Sequence, residues 1–115
     1  MSSLAERRCI PCRGDTPRLT DVEIEPLRAM LPRWDVVESR RLTRPFAFQD
    51  FKTALEFVNR VGALAEEQGH HPDLHLGYGQ VRVEIWTHAV GGLTESDFIL
   101  AAKVDELAAR APGLV

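Results

Sequence analysis

The hydrophobic residues of the chain follow a helical period in three stretches, and the segments between them favour strands. The first helical stretch opens at Thr20-x-x-Glu23, which has the spacing of a capping box, and Pro32 closes it. Its predicted inner face is Val22, Leu27, Met30 and Leu31. Pro26 removes a backbone hydrogen bond beyond the first turn, so we expect the helix either to start near Glu25 or to bend there.

From Trp34 to Phe48 the apolar residues alternate with polar ones, which predicts two antiparallel strands with a turn near Glu38-Ser39-Arg40. A stronger helical pattern follows, with Gln49 or Asp50 as its cap and Gly69 and Pro72 at its end. Its apolar positions recur at steps of three and four: Phe51, Ala54, Leu55, Val58, Val61, Gly62 and Ala65.

The most regular strand pattern runs from Leu76 to His88. Its aliphatic side carries Val81, Val83 and Ile85, and we expect that side on the core, with His88 on the opposite one. Gly91 and Gly92 then turn the chain. Thr94-Glu95-Ser96-Asp97 caps a last helix that stops at Pro112-Gly113, and its apolar stripe is Phe98, Ala101, Val104, Asp105 and Ala108.

The order helix, two strands, helix, a strand or strand pair, helix predicts an α+β fold. We expect a single antiparallel sheet of about four strands with about three helices packed on one face. Residues 1–19 have no periodicity and are predicted to be an irregular N-terminal arm, and residues 20–115 form one domain.

Composition excludes several classes of function. The chain has 115 residues with a net charge of −3, so it lacks the basic surface of a general nucleic-acid binder. Its apolar runs are too short to span a membrane, and no basic-then-apolar segment opens it, so we expect a cytoplasmic location. Cys9 and Cys12 have C-x-x-C spacing, but no second such pair exists. Reduced thiols in a loose arm are therefore favoured over a metal completed by a partner chain or a redox role.

All four histidines lie between Glu66 and His88, and imidazole is the side chain best suited to proton transfer near neutral pH. Gly69 and Pro72 would hold His70 and His71 in a fixed orientation, with Glu66 one helical turn before His70 and able to orient it. The alternative is a solvated pair of histidines that bond the last carbonyls of the helix.

The remaining histidines give one candidate site residue. His88 follows Trp86 by two, so both can face one cavity that suits a flat heteroaromatic ligand, although a packed surface Trp beside a strand-end His is the alternative. His75 has no motif around it and is expected to be solvated. A metal site is disfavoured, because adjacent histidines do not easily reach one ion and no H-E-x-x-H spacing is present.

At these residues the sequence resembles the pterin-4a-carbinolamine dehydratase family, also known as the dimerisation cofactor of a hepatocyte transcription factor. The resemblance covers roughly residues 20–110. It is carried by Glu66, His70-His71-Pro72, Tyr78, Thr87-His88, Gly92-Leu93-Thr94, Asp97 and Ala101, together with Trp34, Phe46, Phe48 and Phe51.

The resemblance implies an enzyme that removes water from a 4a-hydroxytetrahydropterin, a hydro-lyase that needs no metal or organic cofactor. It implies that His70, His71 and His88 are catalytic, with Glu66 supporting His70. The implied pterin-binding residues are Gly69, His70, His71, Pro72, Trp86, Thr87, His88 and Ala89, with Trp34 near the pocket. It also implies a homodimer or homotetramer and a functional link to an aromatic amino-acid hydroxylase.

The chain departs from the animal members of the family at several positions. Leu74 stands where they have a Trp, Pro26 interrupts the first helix, and the cysteine-bearing arm has no counterpart in the short animal proteins. None of these departures touches His70, His71 or His88. Two other functions stay open as alternatives. One is a non-catalytic relative that acts as an assembly or interaction protein, and the other is a pterin enzyme of molybdopterin or folate-like metabolism.

Overall fold

The computed structural model describes residues 4–10 and 16–115. The α-helices are α1 (Asp21–Ala29), α2 (Phe51–Gln68) and α3 (Glu95–Ala109), and the strands are β1 (Asp35–Val37), β2 (Arg41–Ala47), β3 (Asp73–Gly77) and β4 (Gln80–Ile85). The strands form one antiparallel sheet in the order β1-β2-β4-β3. The predicted α+β fold with a four-stranded antiparallel sheet and three helices is confirmed.

The alternation of side chains along the two central strands decides which face of the sheet the helices cover. Val81, Val83 and Ile85 of β4 are fully buried, and they lie beside Phe46 and Leu42 of β2. Helices α2 and α3 both contact the sheet. The opposite face carries polar side chains such as Arg82, so one face is dry and the other meets solvent.

Helix α1 begins where the capping box predicts. The Thr20 hydroxyl accepts a hydrogen bond from the Glu23 backbone, and the Glu23 carboxylate accepts one from the Thr20 backbone. The helix is continuous past Pro26, so the expected late start near Glu25 is wrong. The predicted inner face is also partly wrong, because Val22 is 83% exposed whereas Ile24 is 3% exposed.

The turn between β1 and β2 lies at residues 38–40, as predicted. Glu38 and Ser39 adopt positive φ angles of 52° and 57°, a conformation that costs energy for residues other than Gly and Asn. The turn therefore has a backbone conformation that Gly or Asn usually supplies, and neither residue marks it in the sequence.

Helix α2 confirms its predicted bounds. The Asp50 carboxylate accepts a hydrogen bond from the Thr53 backbone N–H at 2.8 Å, and Gly69 ends the helix with a φ of 63°. Its most buried large residue, Phe57, is missing from the predicted stripe, while Phe51 and Leu55 are substantially exposed.

The single strand predicted from Leu76 to His88 is wrong, and the strand-pair alternative is confirmed. The chain turns at Tyr78 and Gly79 between β3 and β4. Gly79 is needed there, since its φ is 65° and a Cβ would lie 2.8 Å from the Phe48 carbonyl oxygen. Strand β4 ends at Ile85, and His88 opens a short 3₁₀ helix, His88–Val90.

The described part of the N-terminal arm packs against the rest of the chain. Leu4–Glu6 form a turn of 3₁₀ helix, and Leu4 is 5% exposed because it packs in the core against α3. Residues 4–10 are therefore not loose. Cys12 lies outside the described residues, and the predicted roles of the C-x-x-C pair stay untested.

Candidate active site

The end of α2 presents two adjacent histidines in different environments. Gly69 takes the left-handed conformation, and its N–H and that of His70 bond the last carbonyls of the helix, those of Ala65 and Glu66. The chain leaves the helical path at this point. The side chain of His70 is 10% exposed, whereas that of His71 is 59% exposed.

His70 turns inward and meets Asp97 at the amino end of α3. Its Nε2 lies 2.5 Å from Oδ1 of Asp97, whose side chain is fully buried. Nε2 therefore bonds a carboxylate inside the protein. Nδ1 is the ring nitrogen that this bond does not use.

A buried carboxylate needs several donors, and Asp97 has them. Its Oδ2 accepts the Thr87 hydroxyl at 2.8 Å and the Thr94 backbone N–H at 2.8 Å. The hydroxyls of Thr87 and Thr94 are 3.0 Å apart. The amino end of α3 also favours negative charge. The Asp97 carboxylate therefore both caps this helix and holds His70.

Glu66 does not support His70, which corrects the expectation from the sequence. Its Oε2 pairs with Nε2 of His71, and both side chains are exposed. The i, i+4 relation that suggested His70 holds only inside a helix, and α2 has already ended at Gln68.

Trp86 and His88 form the opposite wall. Their rings are 4.4 Å apart between centroids at an angle of 74°, an edge-to-face contact. The Arg41 guanidinium lies 5.7 Å from the centroid of Trp86. Thr87, between Trp86 and His88, is buried, whereas Trp86 is partly buried against the core and His88 is exposed.

The two walls enclose an open cleft of about 250 Å³, lined by Gly69, His70, His71, Trp86, Thr87, His88 and Ala89. The lining contains every pterin-binding residue that the resemblance implies except Pro72 and Trp34. A larger cleft of about 410 Å³ lies between Arg18 and Arg40 but has no histidine or aromatic residue in its lining. The chemistry therefore favours the smaller one.

Trp34 lies in the core and not in this cleft. It is 3% exposed, and its Nε1 donates to Asp105 at 2.8 Å on α3. The Arg44 guanidinium bonds the same carboxylate at 2.5 Å. Trp34 thus belongs to a partly buried polar cluster around Asp105, and it does not line the cleft near which the resemblance placed it.

His75 and the acidic residues near it form no metal site. His75 is half exposed on β3 and bonds Glu84 at 2.8 Å. Within residues 4–10 and 16–115, no three His, Cys, Asp or Glu side chains are grouped to hold a metal ion. In the same residues no helix combines the length and the apolar character needed to cross a membrane.

Asp97 is the site residue that the sequence analysis missed as a functional group. In the sequence it stands as part of a helix-start motif. Its spacing from Thr94 predicts a cap, and nothing local predicts a bond to a histidine 27 positions earlier.

The chain is similar to known proteins in sequence and in fold. Residues 17–107 match the family model described as pterin 4 alpha carbinolamine dehydratase. A protein of Rubrobacter xylanophilus is 54% identical over 93% of this chain and all of its own length. One from Methylococcus capsulatus is 50% identical over 95% of this chain and 96% of its own. Both carry the name "Putative pterin-4-alpha-carbinolamine dehydratase".

Two solved structures are similar. A transcriptional coactivator/pterin dehydratase from Brucella melitensis has a TM-score of 0.74 and 36% identity, covering 79% of this chain and 98% of that one. A pterin dehydratase-like protein identified as a RuBisCO assembly factor in the alpha-carboxysome has a TM-score of 0.55 and 29% identity, covering 65% and 86%. On the extent of the family match and the identity to its relatives, this chain belongs to the pterin 4 alpha carbinolamine dehydratase family.

Proposed function

We propose that this protein dehydrates a 4a-hydroxytetrahydropterin to the quinonoid dihydropterin and water. The observation that carries the proposal is the cleft in which the Asp97-bound His70 faces the segment of Trp86 and His88. The site has three imidazoles, those of His70 and His71 on one wall and that of His88 on the other, together with the ring of Trp86. This combination suits proton transfer to and from a flat heterocycle.

The reaction needs two proton transfers and no oxidant. One proton joins the hydroxyl on carbon 4a as the C–O bond breaks, and water leaves. One proton leaves a ring nitrogen, whose N–H electron pair becomes the new C=N bond. Two imidazoles on different sides of a ligand can perform both transfers, each contributing roughly 10²–10⁴-fold to the rate.

His70 is assigned as the base. With its Nε2–H donated to Asp97, the neutral ring has its lone pair on Nδ1. The carboxylate then stabilises the imidazolium that forms when Nδ1 takes a proton. His88 is assigned as the acid, and the exposed His71, paired with Glu66, is assigned to hold the pterin.

The physiological setting belongs to the same proposal. An aromatic amino-acid hydroxylase would produce the 4a-hydroxypterin that this protein consumes, and both would be cytoplasmic.

We also propose a homodimer or homotetramer, since β1 and β3 are edge strands whose outer backbone groups can pair with another copy. Light scattering on the purified protein tests the assembly.

A second candidate function is a non-catalytic assembly role. The similarity to the RuBisCO assembly factor favours it, at 29% identity. The retained histidine cleft argues for catalysis instead, because a scaffold has no need of a buried His–Asp pair. A pterin enzyme of molybdopterin or folate-like metabolism would keep the cleft and change the substrate.

The test is a direct dehydration assay with 4a-hydroxytetrahydropterin generated in the cuvette by a hydroxylase. Wild-type acceleration that is lost in a folded His88→Ala variant supports the proposal. Pterin binding without acceleration would favour another pterin pathway. Absence of both binding and acceleration would favour the assembly role.

A further inference from the structure

Residues 4–10 cross the junction between α2 and α3, and the proposed chemistry makes no use of them. The Cys9 backbone N–H donates to Oε1 of Gln68 at 3.0 Å. The Ile10 backbone N–H donates to the Ser96 hydroxyl at 2.9 Å, and that hydroxyl donates to the Ile10 carbonyl at 3.1 Å. One short segment therefore bonds both helices through adjacent residues.

Both anchor residues are next to the His70–Asp97 pair in the sequence. Gln68 is the last residue of α2, two positions before His70. Ser96 directly precedes Asp97 in the first turn of α3 and is 4% exposed. A shift of either helix end would change the separation of the imidazole and the carboxylate.

The segment is also fixed at its other end. Leu4 is buried in the core, and Nζ of Lys103 on α3 donates to the Ala5 carbonyl at 2.7 Å. Arg7 pairs with Glu95 at 2.6 Å, although both side chains are about half exposed and the pair contributes little. Residues 4–10 are thus held at both ends, which a positioning element requires.

We propose that residues 4–10 act as a strap that sets the spacing between the carboxyl end of α2 and the amino end of α3, and so positions His70 against Asp97. Gln68 and Ser96 are positioning residues in this scheme, and neither contacts the substrate. The expected effect on turnover rests on the proposed dehydratase function. The expected change in the hydrogen bond between the His70 ring and Asp97 does not depend on that function.

The first test compares Gln68→Ala with Gln68→Glu. The alanine removes the acceptor of the Cys9 N–H, and the glutamate keeps an oxygen at the same reach. We expect Gln68→Ala to lower kcat by roughly tenfold with KM changed by less than about twofold, since small misplacements of catalytic groups act on the rate. Gln68→Glu should recover most of the rate.

A second readout is independent of turnover. The proton–nitrogen NMR signal of the His70 ring reports its hydrogen bond to Asp97. This signal should move or broaden in Gln68→Ala and in Ser96→Ala, and it should return close to its wild-type position in Gln68→Glu.

The double variant Gln68→Ala/Ser96→Ala tests whether the two anchors, Gln68 and Ser96, act through one segment. Independent anchors would give effects on kcat that multiply, roughly tenfold for each. Anchors of one strap give a double variant within about twofold of the worse single variant, because the first substitution already releases the segment.

Asp50→Ala is the matched control, since it weakens α2 at its far end, where Asp50 caps the helix. It should lower the unfolding midpoint and leave the His70 signal unchanged. An unmoved His70 signal in both Gln68→Ala and Ser96→Ala would overturn the strap, whether or not the protein dehydrates pterins. A moved signal in a protein without dehydratase activity would keep the strap and overturn only the proposed reaction.

Discussion

At the scale of single residues, the site depends on a difference between two carboxylates. Asp97 is fully buried, and its two oxygens are bonded to His70, Thr87 and Thr94. Glu66 is exposed and pairs with the exposed His71. A buried charge-assisted bond holds a side chain in one orientation, whereas an exposed ion pair contributes little.

This difference predicts unequal effects of two similar substitutions. Asp97→Asn should lower kcat by on the order of 10²-fold or more, because an amide cannot stabilise the imidazolium of His70. Glu66→Gln should change kcat by no more than about fivefold, the effect of an exposed pair. Steady-state kinetics on both purified variants measure this. A loss of kcat in Asp97→Asn as small as that in Glu66→Gln would show that Asp97 acts only as a helix cap.

At the scale of elements, the left-handed conformation of Gly69 at the end of α2 sets the direction of the chain at His70 and His71. Gly69→Ala introduces no steric contact within 4 Å, so its cost arises from the positive φ alone. We expect a loss of about 1–2 kcal/mol in the free energy of unfolding. Urea denaturation measures it, with Gly62→Ala as the control.

Gly62 lies inside the same helix and also has open space at its Cβ position. Its replacement by alanine should stabilise the protein by about 0.5–1 kcal/mol. If the two alanine variants changed stability in the same direction, the left-handed conformation at Gly69 would not be a requirement of the fold.

The amino end of α2 gives the protein a pH-dependent cap. The Thr53 backbone N–H, followed by the Thr53 hydroxyl, lowers the pKa of Asp50 below its ordinary value of 3.8. A lowered pKa in the folded state means that the cap contributes stability above about pH 4 and that this contribution is lost as the pH falls through the folded pKa.

The difference in unfolding free energy between the wild type and Asp50→Ala should therefore shrink below pH 3.8. A difference that stayed constant down to pH 2, measured by urea denaturation across that range, would refute the assignment.

The elements themselves could largely be predicted from the sequence, because each has a local cause. Thr20 with Glu23, Asp50 and Gly69 mark helix ends by contacts within a few residues. Long-range pairings could not be predicted in this way. The bond between His70 and Asp97 and the one between Trp34 and Asp105 join residues 27 and 71 positions apart, and no periodicity encodes such a partner.

At the scale of the whole molecule, a partly buried polar cluster outside the histidine cleft contributes to the stability of the fold. Trp34 and Arg44 both bond Asp105 on the core side of α3, and Trp34 also meets the edge of Phe46 with its ring. None of these residues lines the histidine cleft. The resemblance to the family placed Trp34 near the pocket, and its burial instead makes it part of the scaffold.

Trp34→Phe should therefore lower stability and spare the site. Loss of the bond to Asp105 and of part of the buried ring should cost about 1–3 kcal/mol in unfolding free energy. The KM for the pterin and kcat should stay within about twofold of wild type, since a residue outside the cleft makes no contact with the substrate. Denaturation and steady-state kinetics on one preparation provide both values. A large rise in KM without a loss of stability would place Trp34 in the site after all.

The central claim is that His70, held by Asp97, performs a proton transfer in pterin dehydration. Its most direct measurement is the single-turnover rate of 4a-hydroxytetrahydropterin dehydration by the wild type and by His70→Ala, with pterin affinity measured on the same samples. His75→Ala is the matched control, because that histidine is also bonded to a carboxylate but lies outside the cleft. We expect His70→Ala to lose roughly 10²–10⁴-fold in rate with nearly unchanged pterin affinity, and His75→Ala to behave like the wild type. A folded His70→Ala protein that dehydrates the pterin at the wild-type rate would contradict the central claim.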